Sequence, residues 1–216
     1  MVMALAARAE TESFEALLAR ARACRMCAND LPLGPRPVFR LAPSARLLIV
    51  GQAPGTKVHA TGIPWNDPSG DRLREWLALD RDTFYDTARI AILPTGLCYP
   101  GRLPRGGDAP PRPECAPLWH PPLRAHLTNV RLTLLVGSYA QAYYLGNARG
   151  ASVAETVRDF RAHLPAFLPL PHPSWRTLAW ARRNPWFARR VIPELRRRVS
   201  ALLGSPAYRR AGFAAL

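Results

Sequence analysis

Arg46-Leu47-Leu48-Ile49-Val50-Gly51-Gln52-Ala53-Pro54-Gly55 is the stretch that decides the fold. Four aliphatic residues in succession do not alternate with polar ones, so Arg46 to Gly51 reads as a strand buried on both faces, the habit of a parallel sheet. The run stops on a Gly and Pro turn, where the backbone can approach a bound ligand closely. Further apolar runs follow at Ala88 to Leu93, Leu132 to Gly137 and Phe167 to Leu170, with helical patterns over Ser69 to Leu79, Arg112 to Leu127, Ser138 to Leu145 and Ser152 to Phe160. Strands alternating with helices predict an α/β protein, a three-layer α/β/α architecture around a central four-stranded, mainly parallel sheet. Ligands of such sheets bind at the carboxyl ends of the strands. The loops Gly51 to Gly55, Pro94 to Gly96 and His172 to Arg176 all follow strands and are expected on one rim.

The 216-residue chain suits a single domain, long enough to bury about 70% of its unfolded surface. Ahead of the first strand, Thr11 to Ala23 has helical periodicity, with Thr11 or Ser13 placed to cap it and Phe14, Leu17 and Leu18 on one face. The Pro-rich stretch Leu31 to Pro43 cannot be a central strand and is expected to wrap the sheet edge. Gly101 to Pro113 is a basic, Pro- and Gly-rich surface excursion. The N-terminus carries acids within a helical pattern and has no long apolar core, which predicts neither signal peptide nor membrane span and a cytoplasmic protein.

Thirty basic against fifteen acidic residues give a net charge of +15 and a pI near 11.1. Such a field favours a polyanion, and nucleic acid is the first partner to consider. All the basic residues except Lys57 are arginine, and with the abundance of Ala and Pro this equally fits a GC-rich coding bias. The expected helix Asn184 to Leu203 carries Arg189, Arg190, Arg196, Arg197 and Arg198, which suit phosphate contact or a solvated face.

The four cysteines are Cys24 and Cys27, as C-x-x-C, then Cys98 and Cys115. Reduced thiols in the cytoplasm argue against disulfides. Thiolates suit zinc and iron-sulfur clusters alike, and spacing alone leaves open zinc, a cluster or unrelated buried thiols. Cys115 opens a predicted helix, where the dipole favours a thiolate.

Taken together, the cysteine spacing, Gly51 to Gly55, Thr61 to Trp65 and the His172-Pro173-Ser174 segment resemble the uracil-DNA glycosylase superfamily, and most closely its iron-sulfur family-4 branch. The resemblance runs over most of the chain. It implies a [4Fe-4S] cluster on Cys24, Cys27, Cys98 and Cys115, a single glycosylase-like domain over 1–216 with 1–45 as N-terminal helix and cluster-binding segment, and a DNA substrate containing uracil or another damaged base. A monomer is expected. The implied reaction is base excision: the enzyme flips a nucleotide into a pocket, stacks the base, and stabilises charge as the N-glycosidic bond breaks.

On that resemblance, Gly51, Gln52, Ala53, Pro54 and Gly55 form the substrate loop and Trp65 stands where a Phe stacks on the flipped base, although simple packing also explains an indole there. His172 is expected to stabilise the departing base. Ser174, Trp175 and Arg176 belong to the loop that enters the minor groove, with Arg176 placed to fill the vacated space. The chain departs from the family at three positions. Family-4 enzymes have Glu where this chain has Gln52, other branches Asp where it has Ala53, and an edge-reading Asn is replaced by Pro94. Asp67, in Asn66-Asp67-Pro68-Ser69-Gly70-Asp71, is the candidate for the missing carboxylate, as in family-5 enzymes, or else a helix cap. His59 is a candidate to orient water or touch phosphate, or an ordinary surface residue. With Pro94 in place, edge reading falls to backbone groups, Thr95 or Gln52. Lys57 is the only lysine, so a Schiff-base lyase is not expected and the enzyme is read as a monofunctional hydrolase. The alternative is a weak or inactive DNA-binding, damage-sensing protein of the same fold.

Overall fold

The computed structural model describes residues 12–104 and 106–204. Four strands, β1 (Leu47–Val50), β2 (Ile90–Ile92), β3 (Leu132–Val136) and β4 (Phe167–Leu170), form one sheet in the order β2-β1-β3-β4. Every neighbouring pair is parallel, with Leu47 opposite both Ile90 and Leu132, and Thr133 opposite Phe167. β1 and β3 are buried at every position, as their unbroken apolar sequences require.

Among the described residues the α-helices are α1 (Phe14–Arg22), α2 (Thr56–Thr61), α3 (Pro68–Leu77), α4 (Arg81–Tyr85), α5 (Cys115–Ala125), α6 (Ser138–Leu145), α7 (Val153–Arg158), α8 (Arg176–Arg183) and α9 (Ile192–Leu203). Alternate strand residues face opposite ways and divide the core. Leu47, Ile49, Ile90, Ile92 and Leu134 pack against α3, α4, α7 and α9 through Leu73, Phe84, Val157 and Leu195. Leu48, Val50, Ala91, Leu93 and Leu135 pack against α1, α5 and α6 through Leu17, Trp119, Leu123 and Ala140. The result is the expected three-layer α/β/α fold. Each fully buried Leu or Ile contributes about 1.5–3 kcal/mol.

The strand order reverses between β1 and β3, which creates a crevice beyond their carboxyl ends. Gly51 follows β1 and Gly137 follows β3 at this point.

Several boundaries differ from the sequence expectation for local reasons. Ser13 caps α1, its hydroxyl accepting from Ala16 N at 3.2 Å; the other expected cap, Thr11, lies outside the described residues. The second strand begins at Ile90 rather than Ala88, because a turn at Asp86 takes up Ala88 and Arg89. The helix expected from Arg112 begins only at Cys115: Arg112 precedes Pro113, which disfavours helical backbone. The helix expected from Ser69 starts at Pro68 and stops at Leu77, where Ala78 turns left-handed at φ 54°. The single helix expected over Asn184 to Leu203 is interrupted. Phe187–Val191 forms a π-helical turn ahead of α9, whose second residue, Pro193, has no N–H to donate. The Pro-rich stretch from Leu31 to Pro43 makes no strand; an antiparallel bridge joins Arg40 to Ile92, and Phe39 and Leu41 pack into the core beside the sheet. No helix among the described residues is long and apolar enough to cross a membrane.

Candidate active site

The crevice holds an open pocket of about 550 Å³. Gly51 to Gly55 form one wall, Pro94 lies at the end of β2, and Trp65, Asp67 and His172 are among the other residues that line the pocket. The three strand-end loops therefore meet on one rim, as their positions after strands predicted.

Trp65 is placed by its backbone. It has φ 57°, a conformation rare for a bulky residue. Its carbonyl accepts from Arg74 Nη1 at 3.3 Å, and the carbonyl of Pro64 accepts from the Tyr85 hydroxyl at 2.8 Å. Arg74 is itself buried and bonded to Asp71. Two glycines make the required space. A Cβ on Gly70 would stand 1.7 Å from the Trp65 carbonyl oxygen, and one on Gly51 2.8 Å from Cζ2 of the indole. The indole thus lies over the end of β1, half-buried, 5.9 Å from the His172 ring at an interplanar angle of 33°.

His172 leaves β4 through Pro171, and its carbonyl accepts from Ser174 N at 2.8 Å and from the Thr177 hydroxyl. Arg72 on α3 donates to the Pro173 carbonyl at 2.8 Å and fixes the same turn from the other side. Burial holds the imidazole below its ordinary pKa, and the charge of Asp67 opposes that shift. The ring is therefore neutral at pH 7, with one N–H available to donate. Asp67 is the N-cap of α3, its Oδ1 accepting from Gly70 N at 2.8 Å, and it also lines the pocket.

Other sequence candidates sit elsewhere. The Thr95 hydroxyl is buried and donates to the carbonyls of Gly51 at 3.1 Å and Gln52 at 2.6 Å. It shapes the loop rather than lining the pocket. Gln52 lines the pocket, but its amide nitrogen donates to Ala109 O at 3.0 Å. His59 is carried by α2 away from the pocket toward Tyr99, 5.9 Å between ring centroids, and its Nδ1 is buried without a hydrogen-bond partner. Burial and the nearby Arg36 depress its pKa. Ser174, Trp175 and Arg176 lie outside the pocket on the following turn, with Trp175 72% exposed and the Arg176 guanidinium 5.3 Å from the indole centroid.

Two residues of the site escaped the sequence reading. Asp108, from the excursion after Cys98, lines the pocket beside the first loop. Burial pushes its carboxyl up, the charge of Asp67 adds to the effect, and Arg102 opposes it. The available signal was its isolation, as the one acid between Asp86 and Glu114. His120, buried in α5, supports the pocket from behind: Nε2 lies 3.0 Å from the Pro94 carbonyl and Nδ1 2.7 Å from the Tyr144 hydroxyl. A carbonyl only accepts, so Nε2 carries the proton and Nδ1 accepts from Tyr144. Burial pushes His120 down to about 4, and Tyr144 up to about 12.

A second, apolar pocket is lined by all four cysteines together with Leu31, Leu97 and Trp119. Cys24 follows α1, Cys27 precedes the 3₁₀ turn Ala28–Asp30, Cys98 lies beyond β2, and Cys115 opens α5. All four are free thiols. Leu97 N donates to Cys115 Sγ at 3.3 Å. Burial pushes Cys98 up to about 11 and Cys115 up to about 12, and the neighbouring cysteine sulfurs add to both shifts. Among the described residues no three or more His, Cys, Asp or Glu side chains form a group that could hold a metal ion.

A family model of the uracil DNA glycosylase superfamily matches residues 39–210. The match covers most of the chain, and it runs from the Pro-rich segment through the sheet, the pocket and the His172 turn. The protein belongs to the uracil DNA glycosylase superfamily, which places it among glycosylases, hydrolases of DNA repair that act on DNA. Cys98 and Cys115 fall within the matched region, and Cys24 and Cys27 precede it.

Proposed function

We propose that the protein is a monofunctional DNA glycosylase that flips uracil or another deaminated base into the pocket and hydrolyses its N-glycosidic bond. The observation that carries this reading is the meeting of Trp65, His172 and Asp67 in one pocket at the reversal of strand order. Cleavage leaves negative charge on the base and positive charge on the sugar. The neutral His172 is suited to donate a hydrogen bond to the base as that charge develops, and Trp65 to supply the stacking face. Pro94 offers no side-chain donor or acceptor, so backbone groups of Gly51 to Gly55 read the base edge. Lys57 is exposed on α2 and does not line the pocket, which supports hydrolysis over a Schiff-base lyase. Trp175 and Arg176 project beside the site and suit the minor groove of bound DNA.

The same reading takes the cysteine pocket as the seat of a [4Fe-4S] cluster of the family-4 type, with Cys24, Cys27, Cys98 and Cys115 as ligands, a larger group than the single metal ion for which the described residues form no site. Four soft sulfur donors border a single apolar cavity, the donor set such clusters take. A cluster held there would tie Cys24, beyond α1, to Cys115 at the start of α5 and to Cys98 beyond β2. The Arg20 guanidinium of α1, 5.1 Å from the Trp119 ring of α5, already joins the two helices. Four thiols kept reduced for such a cluster suit a cytoplasmic protein, and a site drawn from one chain suits a monomer.

A second reading, a DNA-binding protein without turnover, is favoured by Gln52 and Ala53, which leave the first loop without a carboxylate. Base release from single- and double-stranded oligonucleotides carrying uracil, xanthine or hypoxanthine decides between them, using anaerobically purified protein and its His172→Ala variant. The expected result is release of at least one base, reduced by about 10²–10³-fold in the variant with DNA affinity retained. Tight DNA binding with no release from any substrate establishes the second reading.

A further inference from the structure

We propose that Asp108 is the carboxylate that activates the attacking water, delivered through space to a first loop that has none of its own. The inference rests on the glycosylase reading above. Hydrolysis of an N-glycosidic bond needs a proton acceptor on the sugar side, opposite the departing base. Gln52 cannot serve, being an amide already bonded to Ala109, and Ala53 has no functional group. Asp67 has one oxygen engaged with Gly70 N as the cap of α3, and its charge acts on both His172 and Asp108.

Asp108 reaches the pocket beside the first loop. The excursion folds back on itself: Leu103 N donates to Gly107 O, and Ala109 N to Gly101 O, each at 2.9 Å. An isolated antiparallel bridge joins Arg102 to Asp108. The turn is fastened to the first loop by the bond from Gln52 to Ala109, next to Asp108 in the chain. The carboxylate stands beside Gly55: a Cβ there would lie 3.4 Å from Asp108 Oδ2, ordinary van der Waals contact. Gln52, standing where a carboxylate would act directly, thus holds the segment that brings one. The raised pKa of Asp108 suits the role, because a base poised nearer neutrality accepts a proton more effectively.

In the step itself, the water oxygen bonds to C1′ while one water proton passes to the Asp108 carboxylate. The C1′–N bond breaks and its electron pair leaves with the base, which His172 stabilises through its N–H. The base then takes up a proton from solvent, and an abasic sugar remains.

Single-turnover base release by wild type, Asp108→Asn, Asp108→Glu and Asp67→Asn tests the assignment, alongside affinity for a duplex carrying an uncleavable nucleotide analogue. Asp108→Asn should lose about 10²–10⁴-fold in rate with unchanged affinity and an unchanged circular dichroism spectrum, and Asp108→Glu should recover part of the rate. Asp67→Asn should lose less. Wild-type release with Asp108→Asn within about threefold of it overturns the proposal and leaves the glycosylase reading standing. Equal losses of rate and affinity also overturn it, since Asp108 would then hold the loop rather than the water. No release by wild type removes the glycosylase reading, and this proposal with it.

Discussion

Two pockets among the described residues share one run of chain. Pro94 lines the proposed base pocket, and Gly96, Leu97 and Cys98 just beyond it line the cysteine pocket. The excursion then returns Asp108 to the first and Arg112 and Cys115 to the second. Their construction differs. The cysteine pocket repeats one functional group around an apolar cavity, and its members need only to converge. The base pocket uses a different residue on each wall, and each is held by a polar contact from outside it: Arg74 to the Trp65 carbonyl, Thr95 to the first loop, Arg72 to the His172 turn, His120 to Pro94. A site that recognises a shape depends on such supports, because displacements of an ångström or less remove the geometry catalysis requires.

The largest effect expected from this contrast lies in the cysteine pocket. Cys98→Ser should abolish bound iron and visible absorbance in anaerobically purified protein and lower the melting temperature. Metal analysis and calorimetry measure these, and unchanged iron content would remove Cys98 as a ligand. The base pocket should respond to pH through the residues behind it. The native His120 protonates only near 4, whereas an unfolded histidine does so near 6.5. As pH falls through that window the unfolded chain takes up the proton first. The stability that neutral His120 contributes is thus complete above about 6.5 and declines by about 3 kcal/mol toward 4. His172, also depressed, adds a loss of the same sign. Urea titrations at several pH values should show this slope in wild type and a shallower one in His120→Gln; equal slopes would detach His120 from the effect. The smallest change separates the two roles of Asp67. Asp67→Ala removes the α3 cap and should cost about 1 kcal/mol, whereas Asp67→Asn keeps the cap and should melt close to wild type. A loss of rate in Asp67→Asn without a loss of stability would isolate the pocket role.

Residues close in sequence were the legible part of the fold. Leu47 to Val50 announced a buried parallel strand, and three of the pocket walls could be placed because each follows a strand. The cysteines could be grouped because few residue types are so scarce and so alike. Trp65 and His172 were legible through their flanking motifs. The place of Thr95 was not legible, because its hydroxyl, equally able to bind a ligand, meets carbonyls of the first loop more than forty positions earlier. Asp108 in a Gly-rich turn resembles any solvated acid until that turn folds over Gly55, and His120 resembles a helical core residue until Pro94 and Tyr144 meet it.

The sequence by itself determined the layers, the parallel sheet and the rim on which the site stands, since these follow from local apolar patterning and from where turns can fall. Only the tertiary structure decided which polar side chains face the pocket, which act behind it and which point elsewhere. Hydrogen-bond partners and burial depend on residues distant in the chain, and one-dimensional periodicity carries no record of them.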